Sequence, residues 1–252
     1  MQTVIDNILT NYQIYPCDKS KETLLILHGW QSNIEAWKQT ALELSKQITV
    51  VLVDLPGFGQ TLEPQTPWEI TDYANFVKDF IKRLELKEIT LMGHSFGGRI
   101  ALILASKNLC GRLVLVDSAG LPIKDLKAKI VLTAVKMGKP VLRLLPKKYS
   151  QIILNLLGSP DYKNAGTMLA TFKRIVLPDL TSYAKKITVP TLIVWGDRDQ
   201  MLSLKHAKRF KELIPNSTLR IVWGAGHNPH LEKPEKFREV IREWSNLRVT
   251  PF

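Results

Sequence analysis

The stretch Leu91-Met92-Gly93-His94-Ser95-Phe96-Gly97-Gly98 decides how this chain is read. Ahead of it, Ile89-Thr90-Leu91-Met92 is an apolar run with the character of a buried strand. Behind it, Arg99-Ile100-Ala101-Leu102-Ile103-Leu104-Ala105 has helix-forming composition. Gly-x-Ser-x-Gly between a strand and a helix is a sharp, strained turn that presents a serine at the sheet edge. Glycine is needed wherever the neighbouring backbone crowds that turn. The first N–H groups of the following helix are left unpaired and point toward any negative charge that develops there. The bare pattern is common by chance, and the strand and helix around it are what make it specific. The plainer alternative is a glycine-rich turn with an incidental serine.

Outward from this turn, strands and helices alternate. Thr23–Leu27, Ile48–Val53 and Leu113–Val116 are short continuous apolar runs, as expected of strands buried on both faces. Ile34–Lys46 has helical spacing. A second helix is expected from Thr66-Pro67-Trp68-Glu69, with Thr66 as cap, Pro67 in the first helical position and Glu69 completing a capping box. It runs on through Tyr73, Phe76, Val77, Phe80, Ile81 and Leu84 as an apolar stripe. The turn Asp54-Leu55-Pro56-Gly57-Phe58-Gly59 contains Gly-x-Gly, but neither a third glycine nor a helix follows, which excludes a dinucleotide-phosphate loop. From 121 to 190 no buried strand run occurs, and the segment reads as short amphipathic helices broken by Gly and Pro. The sheet pattern then returns in Thr191–Trp195 and Leu219–Trp223, with helices expected over Ser203–Leu213 and Pro234–Trp244. The fold class is therefore α/β: a mostly parallel central sheet with helices on both faces, formed by residues 1–120 and 191–252, with a helical cap inserted at 121–190. Residues 1–22 are the least legible, with a short edge strand ending near Ile14-Tyr15-Pro16.

The apolar fraction of 45% supports a sizeable core. No apolar run reaches the length of a membrane span, and the first residues lack the basic-then-apolar pattern of a signal peptide. Cys17 and Cys110, the only two cysteines, do not form a disulfide framework, so a reducing cytoplasm is the expected location. No Cys/His pair has metal-ligand spacing, and neither a metal nor an organic cofactor is expected. The net charge of +12 is concentrated: residues 121–190 hold 13 Lys+Arg against 3 Asp+Glu. In Lys124–Leu132, lysines alternate with apolar residues as they do in interfacial helices. A weak association with anionic surfaces through this basic cap is one reading, and an ordinary solvated exterior is the plainer one. Nucleic acid is not an expected partner, because no base-stacking aromatic pattern accompanies the charge.

In an open parallel sheet, ligands bind beyond the carboxyl ends of the strands. His28-Gly29-Trp30 follows the first buried strand, Ser95 the elbow strand, Gly196-Asp197-Arg198-Asp199 the strand ending at Trp195, and Gly224-Ala225-Gly226-His227 the last. Serine, acid and histidine thus fall in that chain order on one edge. A serine hydroxyl needs an adjacent base. His206 lies in an expected helix, and His28 and His94 flank backbone features, which leaves His227 and His230, with His227 favoured by its place at the strand end. Between Asp197 and Asp199 the residues alone do not choose.

The pieces His28-Gly29-Trp30, Asp54–Gly59, Gly93–Gly98, Gly196–Asp199 and Gly226-His227 together resemble the α/β-hydrolase superfamily over nearly the whole chain. The resemblance implies Asp199 as the acid, and it supports His227 over His230 because Glu232 and Pro234 stand where the family places Glu and Pro after its histidine. It implies an oxyanion hole from the backbone N–H groups of Trp30 and Phe96, and 121–190 as the cap over the site. Serine at 95 argues against the dehalogenases and epoxide hydrolases of this fold, which use aspartate there. The short N-terminus is expected to lack one strand of the full fold. The implied activity is hydrolysis of a carboxylic ester or related small acyl substrate. Alternatives are a carbon–carbon bond hydrolase, a lactonase, or a non-catalytic ligand-binding member.

Overall fold

The computed structural model describes residues 1–122 and 164–246. Eight strands form one sheet in the order β1-β2-β4-β3-β5-β6-β7-β8. They are β1 (Gln2–Ile5), β2 (Ile8–Tyr15), β3 (Thr23–Leu27), β4 (Thr49–Val53), β5 (Ile89–His94), β6 (Arg112–Val116), β7 (Thr191–Gly196) and β8 (Ser217–Val222). β2 pairs antiparallel with β1 and β4, and every other pairing is parallel.

The N-terminus corrects the expectation drawn from sequence, because it supplies two strands and the sheet lacks none of its eight. They form a hairpin whose two-residue turn is Asp6-Asn7, both at positive φ (47° and 63°). That is the backbone a tight hairpin with the right twist demands, and Asp and Asn tolerate it. Without a glycine at the turn, and with β1 largely exposed, the sequence carries only a weak hairpin signal.

The parallel strands alternate strictly in the face they serve. Leu25, Leu27, Val51, Val53, Leu91, Leu113, Leu115 and Ile193 enter one core. Leu24, Ile26, Val50, Leu52, Met92, Val114, Leu192 and Val194 enter the other. Helices α2 (Ile70–Arg83), α3 (Phe96–Ser106) and α6 (Leu204–Leu213) cover the first face with Tyr73, Phe76, Phe80, Ile103 and Phe210. Helices α1 (Lys38–Leu44) and α8 (Pro234–Asn246), the latter after the short α7 (Pro229–Glu232), cover the second with Ala41, Leu44, Phe237 and Ile241. Because both faces are buried, the strands read as unbroken apolar runs. Helix α2 starts later than expected: Ile70 is its first residue and Glu69 its cap, and the Glu69 N–H donates to Asp72 at 2.7 Å. Thr66 and Pro67 remain in the loop ahead of it.

Of the segment 121–190, the described residues are 121–122 and 164–190. They hold α4 (Leu169–Val176) and α5 (Thr181–Ala184) and dock on the loop before α2. Thr171 Oγ1 accepts the Trp68 N–H at 3.2 Å, and Arg174 donates to the Pro67 carbonyl at 2.8 Å. The Arg99 guanidinium on α3, buried and pulled down to about 10 by that burial, donates to the Pro178 carbonyl. The basic stretch Lys124–Leu132 lies outside the described residues. Among the described residues, no helix is long and apolar enough to cross a membrane.

The chain leaves β3 in one direction to reach β4 and returns past β3 to β5, which opens a crevice at the carboxyl ends of β3 and β5. One wall of it is tied by Asp54, which is buried at the end of β4. Its carboxylate accepts Ile34 N–H at 2.8 Å, Gln60 N–H at 2.9 Å and Asn11 Nδ2 at 2.8 Å. Asp54→Ala strands these donors and is expected to cost roughly 2–4 kcal/mol, read as a lowered denaturation midpoint with unchanged slope.

Candidate active site

Ser95 lies between β5 and α3 with φ 49° and ψ −109°, a conformation L-residues avoid. Three backbone bonds hold it there. Its N–H donates to Val116 at 3.1 Å, and its carbonyl accepts from Gly98 and Ala119, each at 3.1 Å. The turn is too tight for side chains nearby, and a Cβ on Gly97 would run into the Leu27 carbonyl oxygen. Glycine here lets α3 start against the end of β3 and brings Phe96 close to Trp30, their rings 5.5 Å apart at 85°. Phe96 opens the helix, so its N–H has no intrahelical acceptor. The two candidate oxyanion donors therefore sit on adjoining loops.

The loop carrying Trp30 is set by His28 beneath it. His28 Nε2 accepts the Leu55 N–H at 2.9 Å, and Nδ1 lies 2.7 Å from the Gly29 carbonyl. Those partners require the neutral tautomer protonated on Nδ1. Burial pushes His28 below its ordinary value, against the opposing pull of the Gly29 carbonyl and Asp54. The indole of Trp30 packs on Phe58 and Phe172, with centroids 4.7 and 5.1 Å away.

The acid and the histidine come from neighbouring loops after β7 and β8. A Cβ on Gly196 would strike the Gly226 carbonyl, so glycine is what allows these loops to touch. His227 Nδ1 lies 2.8 Å from Asp199 Oδ2, with the Asp199 side chain fully buried and that of His227 12% exposed. Asp199 Oδ1 accepts the N–H groups of Met201 and Leu202 at 2.7 and 2.9 Å. Burial alone would raise the Asp199 carboxyl. The hydrogen bond and charge of His227, with the bonds from Leu202 and Asp117, outweigh it and hold Asp199 below the usual carboxylate value.

Asp197 and His230 have other partners. Asp197 turns the other way and accepts the Gly224 N–H, so it braces the β8 turn. His230 is buried and stacks on Trp37, with centroids 3.8 Å apart and planes 4° from parallel. His94 is a link the sequence reading missed: its Nε2 donates to the His227 carbonyl at 2.8 Å and ties the histidine loop to the residue before Ser95. Burial, then the neighbouring His227, pulls His94 down to about 3, so it is neutral at neutral pH.

A model of the alpha/beta hydrolase family matches residues 24–240. The chain belongs to that family. It is 26% identical over 261 residues to the uncharacterized hydrolase YugF of Bacillus subtilis, covering 95% of each chain. It is 27% identical over 256 residues to the monoacylglycerol lipase ABHD6 of Bos taurus, covering 88% of this chain and 74% of that one. A solved bacterial membrane phospholipase A has the same fold, with a TM-score of 0.78 and 24% identity over 98% of this chain and 85% of its own.

In this hydrolase one further acid adjoins the pair, and nothing in the sequence pointed to it. Asp117, at the end of β6, brings a carboxyl oxygen within 4.8 Å of the ligand atoms of Asp199 and His227. This is the one His/Asp/Glu/Cys trio of metal-binding proximity among the described residues. Both Asp199 oxygens already face N–H donors, which is the setting of a carboxylate held by the protein. A Gly97→Ala change is expected to push α3 away from β3 and separate the Phe96 and Trp30 N–H groups, so turnover should fall with KM little changed. Steady-state kinetics on a folded variant checks this.

Proposed function

We propose that this protein is a serine hydrolase of carboxylic esters, with Ser95 as nucleophile, His227 as base and Asp199 as the acid that orients it. The observation that carries the reading is the buried Asp199–His227 bond of 2.8 Å on the loop that His94 ties to the nucleophile turn. Ser95 Oγ attacks the ester carbonyl while its proton passes to His227 Nε2. Asp199 stays ionised, accepts from Nδ1–H and stabilises the imidazolium. The tetrahedral oxyanion is met by the N–H groups of Trp30 and Phe96, which act there with little reorganisation. The imidazolium then gives its proton to the departing alcohol, leaving an acyl-serine. A water molecule, deprotonated by His227, releases the carboxylic acid and restores Ser95. The aromatic cluster of Trp30, Phe58, Phe96 and Phe172 around the proposed oxyanion donors favours an apolar acyl group.

The test is hydrolysis of p-nitrophenyl esters of increasing chain length. Ser95→Ala and His227→Ala should fold and lose turnover to a similar degree, since such groups act as a unit. A folded Ser95→Ala protein with near wild-type rate overturns the reading. Asp199→Asn is expected to cost roughly 10³–10⁴-fold in kcat. Asp197→Asn keeps an oxygen for Gly224 N–H and should cost far less. His230→Ala removes the stack on Trp37, so its loss should appear as about 1–3 kcal/mol of stability with turnover largely kept.

A further inference from the structure

Asp117 has no part in the chemistry set out above, yet it is fully buried and reaches both residues of the acid–base pair. Its backbone is held at φ 39°. One of its oxygens, Oδ1, accepts the Gly196 N–H at 3.0 Å, which fixes the carboxyl against the loop that carries Asp199. The other, Oδ2, is buried with no N–H or O–H donor among the described residues. The nearest acid is Asp199, whose carboxyl comes within 4.8 Å of the Asp117 carboxyl, both buried.

Two buried carboxyl groups this close disfavour each other's ionisation, and a single proton on one of them resolves the conflict. The donors decide which group holds it. Asp199 receives three N–H groups, from Met201, Leu202 and His227, whereas Asp117 receives one. The negative charge belongs on Asp199 and the proton on Asp117 Oδ2. The titratable groups facing Asp117 are Asp199, His227 and Glu232, and two of these are acids. Burial first, then these neighbouring acids, pushes Asp117 up to about 9 against the lowering effect of the Gly196 N–H.

We infer that Asp117 is a positioning residue: a neutral carboxylic acid whose O–H donates to Asp199 and holds that carboxylate in place behind His227. The inference rests on the proposed roles of Asp199 and His227. With this bond Asp199 has a donor on every side, its charge is compensated, and the direction of its bond to His227 is set by β6 as well as by its own loop.

Two measurements on the full chain test it. The first is thermal unfolding of the wild type and Asp117→Asn across pH. Below about pH 4, the ordinary aspartate value, the folded and unfolded wild type both hold this proton. As pH rises toward about 9 only the unfolded chain releases it, so the wild type loses stability that the variant keeps. The expected result is a Tm advantage of Asp117→Asn that widens with pH. A gap that stays flat or narrows means that the folded protein holds Asp117 ionised, and overturns the inference.

The second measurement is rescue. Asp117→Ala removes the donor and should lower kcat by roughly 10–100-fold with KM held. Asp117→Asn supplies an amide N–H to Asp199 and an oxygen to Gly196, and should recover most of that loss. An Asn variant as slow as the Ala variant overturns the inference, and, where Ala fails to fold, so does an Asn variant roughly 10–100-fold slower than wild type. The Tm gap involves no turnover. A failed Ser95→Ala test therefore sinks the triad reading alone, and a flat gap beside an inactive Ser95→Ala sinks only the role of Asp117.

Discussion

Ser95 occupies a backbone conformation that an L-residue enters only under constraint, and the rest of the site depends on its being held there. The constraint is shared by three elements. β6 accepts its N–H at Val116, the first turn of α3 donates back from Gly98, and the loop after β6 donates from Ala119. Strain of this kind persists where the surroundings over-determine it, at a cost of about 1–3 kcal/mol. Two packed cores, one on each face of the sheet, supply that rigidity. The strained turn then exposes the serine and frees the helix N–H groups beside it.

Around this turn the site is assembled by loops bound to one another more than to solvent. Asp54 clamps the loop behind Trp30, His28 fixes the next one, and His94 reaches from the residue before Ser95 to the carbonyl of His227. Each uses a buried polar group with a specified partner, and such groups lock geometry because leaving them unpaired is costly. The Asp117–Asp199–His227 trio extends the pattern from β6 to β8. The Asp199–His227 bond thus sits among loops that follow three adjacent strands.

Much of this was legible in sequence because both faces of the sheet are buried. Strands such as Thr23–Leu27 and Thr191–Trp195 then become continuous apolar runs, and a Gly-x-Ser-x-Gly turn between two such elements has few alternatives. Of the hairpin Gln2–Tyr15, only the end of the second strand at Ile14-Tyr15 was legible, since its turn uses Asp6 and Asn7 in place of glycine and its outer strand faces solvent. The start of α2 was misjudged by a few residues because Thr66-Pro67 imitates a cap that Glu69 and Asp72 provide. The resemblance implied Asp199, but that His227 bonds Asp199 while Asp197 bonds Gly224 depends on the direction of a side chain, which the residues alone do not contain. His94 and Asp117 were missed for a related reason: His94 ends an apolar strand and Asp117 follows one, each beside small residues, and what each does is visible only in what it faces across the sheet edge.

The central claim is that Ser95 is an activated nucleophile, and covalent trapping tests it most directly. Treatment of the folded protein with a fluorophosphonate, followed by peptide mass spectrometry, should give one phosphonyl adduct on the peptide containing Ser95, formed much more slowly once Asp199 is changed to Asn. An absent adduct, or one on another residue with Ser95 unmodified, would contradict the account.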